Sequence, residues 1–304
     1  MRDSPALEAL NDRFGIPRLA AFETGAGGLP AIRVTARAAD ATVYLHGAHV
    51  THYRPAGGQP VLFLSARSRF ATGAAIRGGV PLVFPWFGAR AGHPAAPDHG
   101  FARTCAWTVE AVERVGDGAA VTLGLEPSDA TRALWPSAFR LTYRVLVDAA
   151  LSLTLVVENR GAATFSFEAA LHTYLAVGDV RRVSVSGLEG RPYIDKTDGF
   201  TRKVLPAGPL HPGGETDWVF PGAAGPCAVA DPVLGRRLIV DKTDSATTVV
   251  WNPWSDKAAR MADLGDDQWP GMLCVETANA MDDAVTLRPG ERRAMGAVIR
   301  ATPM

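Results

Sequence analysis

Arg140-Leu-Thr-Tyr-Arg-Val-Leu-Val147 and Leu151-Ser-Leu-Thr-Leu-Val-Val-Glu158 stand on either side of Asp148-Ala149-Ala150. Apolar and polar residues alternate in both runs, the period of a strand with one buried face. Two such runs joined by three residues predict an antiparallel hairpin. Working outward, the same short-strand signal recurs at Thr42–Leu45, His49–Tyr53, Val61–Leu64, Val121–Leu125, Phe165–Ala170, Arg182–Ser186, Arg237–Val240 and Thr247–Trp251. Turn signals such as Pro55-Ala56-Gly57-Gly58 and Arg160-Gly161 separate the runs. No βαβ rhythm and no GxGxxG occurs. The expectation is an all-β antiparallel sandwich with few short helices.

Helix is predicted at two places. Ser4-Pro5 opens one that runs to Phe14 and stops at Gly15, making residues 1–20 a helical N-terminal extension. Ser255 is read as the cap of a second, passing through Lys257 to Asp263 and ending at Gly265. Asp-Lys-Thr-Asp occurs at both Asp195–Asp198 and Asp241–Asp244, read as two solvated turns. No low-complexity linker divides the 304 residues, so a single domain over 1–304 is expected.

Basic and acidic residues both number 31, a balance that argues against nucleic acid or an anionic membrane as partner, since each needs a net basic face. A small anionic ligand needs only two or three local cations. Cys105, Cys227 and Cys274 are scattered and odd in number, which indicates neither a disulfide framework nor a zinc knuckle. No apolar leader follows Met1, and no stretch approaches eighteen apolar residues. These features predict a cytoplasmic monomer.

Some residues invite chemistry. His46, His49 and His52 recur every third position, yet on a strand His49 faces away from the other two, and no carboxylate or cysteine completes a metal set. His172 ends an apolar strand in Glu168-Ala-Ala-Leu-His172-Thr-Tyr174, where it is either a hydrogen-bonded core residue or a functional one. Glu276 lies in the apolar run Met272-Leu-Cys-Val-Glu276-Thr277; a carboxylate there needs a salt bridge or a task. Gly78 and Gly79 beside Arg77 permit close backbone approach. The prolines of Pro81-Leu-Val-Phe-Pro85 read as a fixed loop beside the sheet. Trp251 and Trp254 are candidates to stack on a sugar or to fill the core.

Together these segments resemble the aldose 1-epimerase superfamily, in particular its glucose-6-phosphate 1-epimerase branch. The resemblance rests on Ala75–Gly88, His99–Arg103, Ala170–Tyr174, Val177–Val180, Ser184–Leu188, Asp195-Lys196, Glu215-Thr-Asp217, Val250–Pro253, Met261-Ala-Asp263 and Cys274–Thr277, in family order. It implies a galactose-mutarotase-like supersandwich that interconverts the anomers of a hexose 6-phosphate. It further implies His172 as general acid to the ring oxygen and Glu276 as general base on the anomeric hydroxyl, on opposite sides of the sugar. By the same resemblance His99 and Asp217 hold sugar hydroxyls, Arg77 and Arg103 bind phosphate, and no metal or organic cofactor is used. Trp218 stands where the family usually carries an arginine, which predicts one cation fewer near the pocket. A glycoside hydrolase using Asp217 and Glu276, a neutral-sugar mutarotase and a non-catalytic sugar-binding module are the competing readings.

Overall fold

Phe139–Val147 and Leu151–Asn159 form the expected hairpin in a computed structural model that describes residues 5–304, with Val147 opposite Leu151. The alternate residues Leu141, Tyr143 and Val145 face inward beside Leu151, Leu153 and Leu155, and all six are buried. This hairpin sits inside an eight-stranded antiparallel sheet. Its order is Ser184–Ser186, Cys227–Asp231, Arg236–Thr243, Arg292–Pro303, Leu151–Asn159, Phe139–Val147, Gly118–Leu125 and Thr108–Val115.

A second eight-stranded sheet carries the site. Its order is Thr201–Val204, Pro192–Asp195, Thr216–Phe220, Thr247–Asn252, Met272–Asn279, Ala169–Leu171 and Leu82–Val83, with Tyr174–Ala176 also paired to Met272–Asn279. One continuous apolar core draws on both sheets: Tyr143, Leu153 and Leu155 from the first, Phe220, Val250, Leu273 and Val275 from the second. A four-stranded N-terminal sheet (Ala20–Thr24, Pro30–Thr35, Ala39–Tyr44, His49–Pro55) adds to the same core through Ile32, Val43 and Val50. The sandwich is therefore as expected.

Local expectations fared unevenly. Val61–Leu64 makes only isolated bridges, Leu62 to Leu175 and Leu64 to Gly78. Phe165–Ala170 breaks into Phe165–Phe167 and Ala169–Leu171 at Glu168, whose carboxylate accepts from the backbone N–H groups of Phe87 (2.8 Å) and Met281 (2.6 Å). The run at Arg182–Ser186 begins with a 3₁₀ turn at Val180–Arg182, so only Ser184–Ser186 is strand. The N-terminal helix is Pro5–Phe14; Ser4 lies outside the described residues. The second helix is only Trp254–Ala258, and Ser255 does not cap it, its hydroxyl bonding Asp256 instead. A short helix at Asp129–Leu134 was not anticipated. It is held by a capping box in which Thr131, rather than a glutamate, returns the bond to Ser128.

Each of the three spaced histidines has its own partner. His46 Nε2 donates to the Ala74 carbonyl and His49 Nε2 to the Gly78 carbonyl, both at 2.7 Å, while His52 Nε2 bonds Asp40 Oδ1 at 2.7 Å. Burial lowers the pKa of fully enclosed His49 to about 4. A folded pKa below the unfolded one contributes stability that is present above pH 6.5 and lost as pH falls towards 4. His49 alone should therefore remove about 2 kcal/mol of stability by pH 5. Urea unfolding at pH 7 and pH 5, compared between wild type and His49→Asn, checks this. The variant should lose less on acidification.

Candidate active site

Strand register gathers the candidate residues. Along Met272–Asn279, Leu273 and Val275 enter the core between the sheets, which turns Cys274 and Glu276 to the opposite face. Trp251 lies opposite Cys274, Asp217 opposite Trp251, and Tyr174 opposite Cys274, so all four share that face. It forms the floor of a cavity of 340 Å³. Arg77, His99, Arg103, His172, Asp217 and Glu276, the six residues singled out from the sequence, all line it.

The segment Arg77–Val83 brings Arg77 to the cavity wall. Its two glycines approach the chain's own backbone rather than a ligand: Gly79, at φ +62°, would bring a Cβ to 2.2 Å from the Val50 carbonyl oxygen. Gly78, at φ +113°, would bring one to 2.5 Å from that of Phe63. A side chain at Gly79 would push this segment off the N-terminal sheet, and one at Gly78 would push it off Phe63-Leu64. The segment then pairs with the strand edge beside the site, His172 N–H donating to the Pro81 carbonyl (3.0 Å) and Tyr174 N–H to that of Gly79 (2.9 Å). The expected fixed loop thus contributes Leu82–Val83 as a short edge strand.

His172 and Glu276 stand side by side, Nε2 to Oε1 3.4 Å, on neighbouring strand lines. This corrects the expectation of opposite sides. Both are buried, and neither His172 Nδ1 nor Glu276 Oε2 has a hydrogen-bond partner among the described residues. Burial drives Glu276 well above the usual carboxylate range, and the charge of Asp217 adds to it. Burial likewise drives His172 well below the usual imidazole range, helped by His99, Arg103 and Arg77. Both effects favour an uncharged pair, a carboxylic acid beside a neutral imidazole. Tyr174 stacks on the His172 ring at 4.8 Å and 11°. Trp251 meets that ring edge-on at 6.0 Å, so it faces the cavity, whereas Trp254 packs on Trp269 outside it.

His99, held at φ +63°, accepts the Gly88 N–H at Nδ1 (3.2 Å). That bond leaves the ring proton on Nε2, a donor. Burial and then Arg103 hold His99 well below its ordinary pKa, keeping it neutral.

The cations divide into compensated and uncompensated. Arg77 donates from Nε and Nη2 to Asp263 Oδ2 (3.1 and 2.9 Å) and from Nη1 to the Tyr174 hydroxyl (2.9 Å). Arg103 donates only to the Asp98 backbone carbonyl (2.7 Å) and pairs with no carboxylate among the described residues. Burial disfavours its charge, and the neighbouring Arg77 charge does so further.

Two lining cations had been given no role at the site from the sequence, Lys196 and Lys257. Lys196 Nζ lies 3.0 Å from Asp217 Oδ2 and over the Phe87 ring; Lys257 pairs with Glu215 at 2.8 Å. The first Asp-Lys-Thr-Asp is thus no solvated turn: Asp195 is buried and Lys196 faces the cavity. The second is not one either, because Asp241–Thr243 belong to the strand Arg236–Thr243. Its recurrence had concealed the lysine. Trp218 also corrects an expectation. It lies opposite Val250, which faces the core, so its ring turns away from the cavity and packs on Tyr193 at 4.7 Å.

With this geometry in hand, likeness to known proteins is informative. A protein of Escherichia coli K12 provisionally named glucose-6-phosphate 1-epimerase is 38% identical over 242 residues, covering 80% of each chain. One from Cenchrus ciliaris with the same provisional name is 35% identical over 265 residues, 84% of this chain and 79% of its own. The crystal structure of YeaD from Salmonella typhimurium, provisionally described as a mutarotase, superposes with a TM-score of 0.89 at 31% identity over 96% of both chains. A galactose mutarotase-like protein from Clostridium acetobutylicum shares the fold at 14% identity, with a TM-score of 0.74 over 94% of this chain and 98% of its own. Residues 30–300 match the aldose 1-epimerase family. That span holds both sheets of the sandwich up to the last strand and every residue that lines the cavity, and it decides against a glycoside hydrolase: the chain belongs to the aldose 1-epimerase family and is an isomerase acting on a sugar.

Proposed function

We propose that the protein interconverts the α and β anomers of a hexose 6-phosphate, with glucose 6-phosphate the leading substrate. Opening a cyclic hemiacetal requires a proton to leave the anomeric hydroxyl while another reaches the ring oxygen. Both oxygens are bonded to the same carbon, so the acceptor and the donor must stand side by side. His172 and Glu276, 3.4 Å apart, meet that requirement. Glu276 as carboxylate takes the hydroxyl proton and His172 as imidazolium protonates the ring oxygen. The open-chain aldehyde rotates about its C1–C2 bond and recloses on the other face, with each group reversing its role. This charged arrangement holds the same one proton as the uncharged pair described above, moved from carboxyl to imidazole.

His99 Nε2–H and the Asp217 carboxylate are suited to holding sugar hydroxyls, one as donor and one as acceptor. The observation that carries the phosphate is Arg103. It is a half-buried guanidinium with no carboxylate partner among the described residues, set beside a second guanidinium on the same cavity. Two adjacent cations under partial burial call for an anion, and a phosphate accepts such planar donors in pairs. The provisional name of the relatives agrees with this reading. Exchange spectroscopy by NMR tests it: anomer exchange of glucose 6-phosphate should accelerate at catalytic enzyme concentration, and that of glucose far less. Equal acceleration of both would assign the site to neutral sugars.

A further inference from the structure

The guanidiniums that would hold the phosphate also press on the acid. Arg77 reaches His172 through one side chain: its Nη1 donates to the Tyr174 hydroxyl, and the Tyr174 ring lies flat on the imidazole at 4.8 Å. Arg103 lines the same cavity, and both positive charges oppose a proton on His172. From these contacts we infer that an anion seated on Arg77 and Arg103 arms His172 as the acid, so that a free dianion in the cavity accelerates anomer exchange of a sugar that carries no phosphate of its own. The inference rests on the assignment of His172 as acid and of the two arginines as the anion seat.

The other charges around the imidazole do not supply this effect. Glu276 at 3.4 Å is itself held uncharged by burial; His99, 5.5 Å away ring to ring, is kept neutral. Lys196 is matched by Asp217, and Lys257 by Glu215. Asp98 lines the rim, Asp263 already holds Arg77, and the thiol of Cys274 is kept protonated by burial. The excess positive charge that a bound dianion offsets is that of Arg103; Arg77, matched by Asp263, adds donors to the seat. Cancelling even one such charge at short range changes a neighbouring group's proton affinity by a factor of about ten or more. Occupancy of the phosphate seat therefore enters the chemical step as well as the binding step.

The probe is phosphite dianion added to the full chain with free glucose, ionic strength held constant with chloride. Exchange of glucose should rise saturably by about tenfold, the rise being larger at pH 8 than at pH 6 because the anion lets His172 keep its proton to higher pH. In Arg77→Ala and Arg103→Ala the activation should vanish. Tyr174→Phe, which keeps the stacked ring but frees Arg77 Nη1, should weaken the activation more than it weakens phosphite binding. Should either alanine variant misfold, inhibition of glucose 6-phosphate exchange by phosphite in wild type still reports the seat. Competitive inhibition without activation of glucose would overturn this inference and leave the phosphosugar reading standing. Neither inhibition nor activation would remove both.

Discussion

Glu276→Gln should fold as the wild type does and slow anomer exchange by at least about 10²-fold, within the range usual for loss of a general base. The amide preserves shape and both polar atoms in a site where the side chain is 1% exposed, but it cannot take a proton. The variant's stability gives a second, independent sign. A buried carboxyl whose folded pKa is raised contributes stability that is complete below pH 4.5 and is lost as pH rises. At pH 7 the glutamine variant should thus melt at or above the wild-type temperature, and the difference should close below pH 4.5. Exchange spectroscopy and thermal melts at both pH values check the two halves. His172→Ala should be equally slow. A variant of either residue that keeps more than about a tenth of wild-type turnover would remove that residue from the acid–base pair.

Loss of one phosphate guanidinium should be as selective as loss of the base is general. Arg103→Ala should lower kcat/KM for glucose 6-phosphate by about thirtyfold or more, corresponding to roughly 2 kcal/mol, while exchange of free glucose does not fall. Arg77→Ala should cost more, because it also strands Asp263, whose carboxylate would then repel the incoming phosphate. Added salt should depress the phosphosugar reaction selectively by screening the same attraction. Equal losses on both substrates would mean that the arginines serve the sugar or the scaffold.

The fold was legible because its strongest signal is local. Alternation in Arg140–Val147 and Leu151–Glu158 needs no knowledge of what lies across the sheet. His172 and Glu276 were legible for a related reason: one ends an apolar strand and the other lies in one, and a titratable group there calls for explanation. What the sequence hid depends on register between distant strands. Asp217, Trp251 and Cys274 align across three strands, and nothing in their local context announces that line. Lys196 was masked by a polar tetrapeptide that resembles any exposed turn. Trp218 was misplaced because a residue beside Asp217 in sequence lies behind it in a strand. The break at Glu168 reflects contacts made by one side chain with remote backbone, which outweigh local pattern.

The enclosure of the His172–Glu276 pair has a consequence for how the reaction conserves matter. In the proposed cycle the proton that Glu276 removes on opening is the one it restores on closing, and the one lent by His172 comes back to it. Nothing is drawn from or released to bulk water over a full cycle. A catalyst that had to exchange a proton with solvent at each turnover would need a conducting path of water or side chains to its centre. The proposed cycle needs only access for the sugar, which is compatible with an acid–base pair as deeply buried as His172 and Glu276.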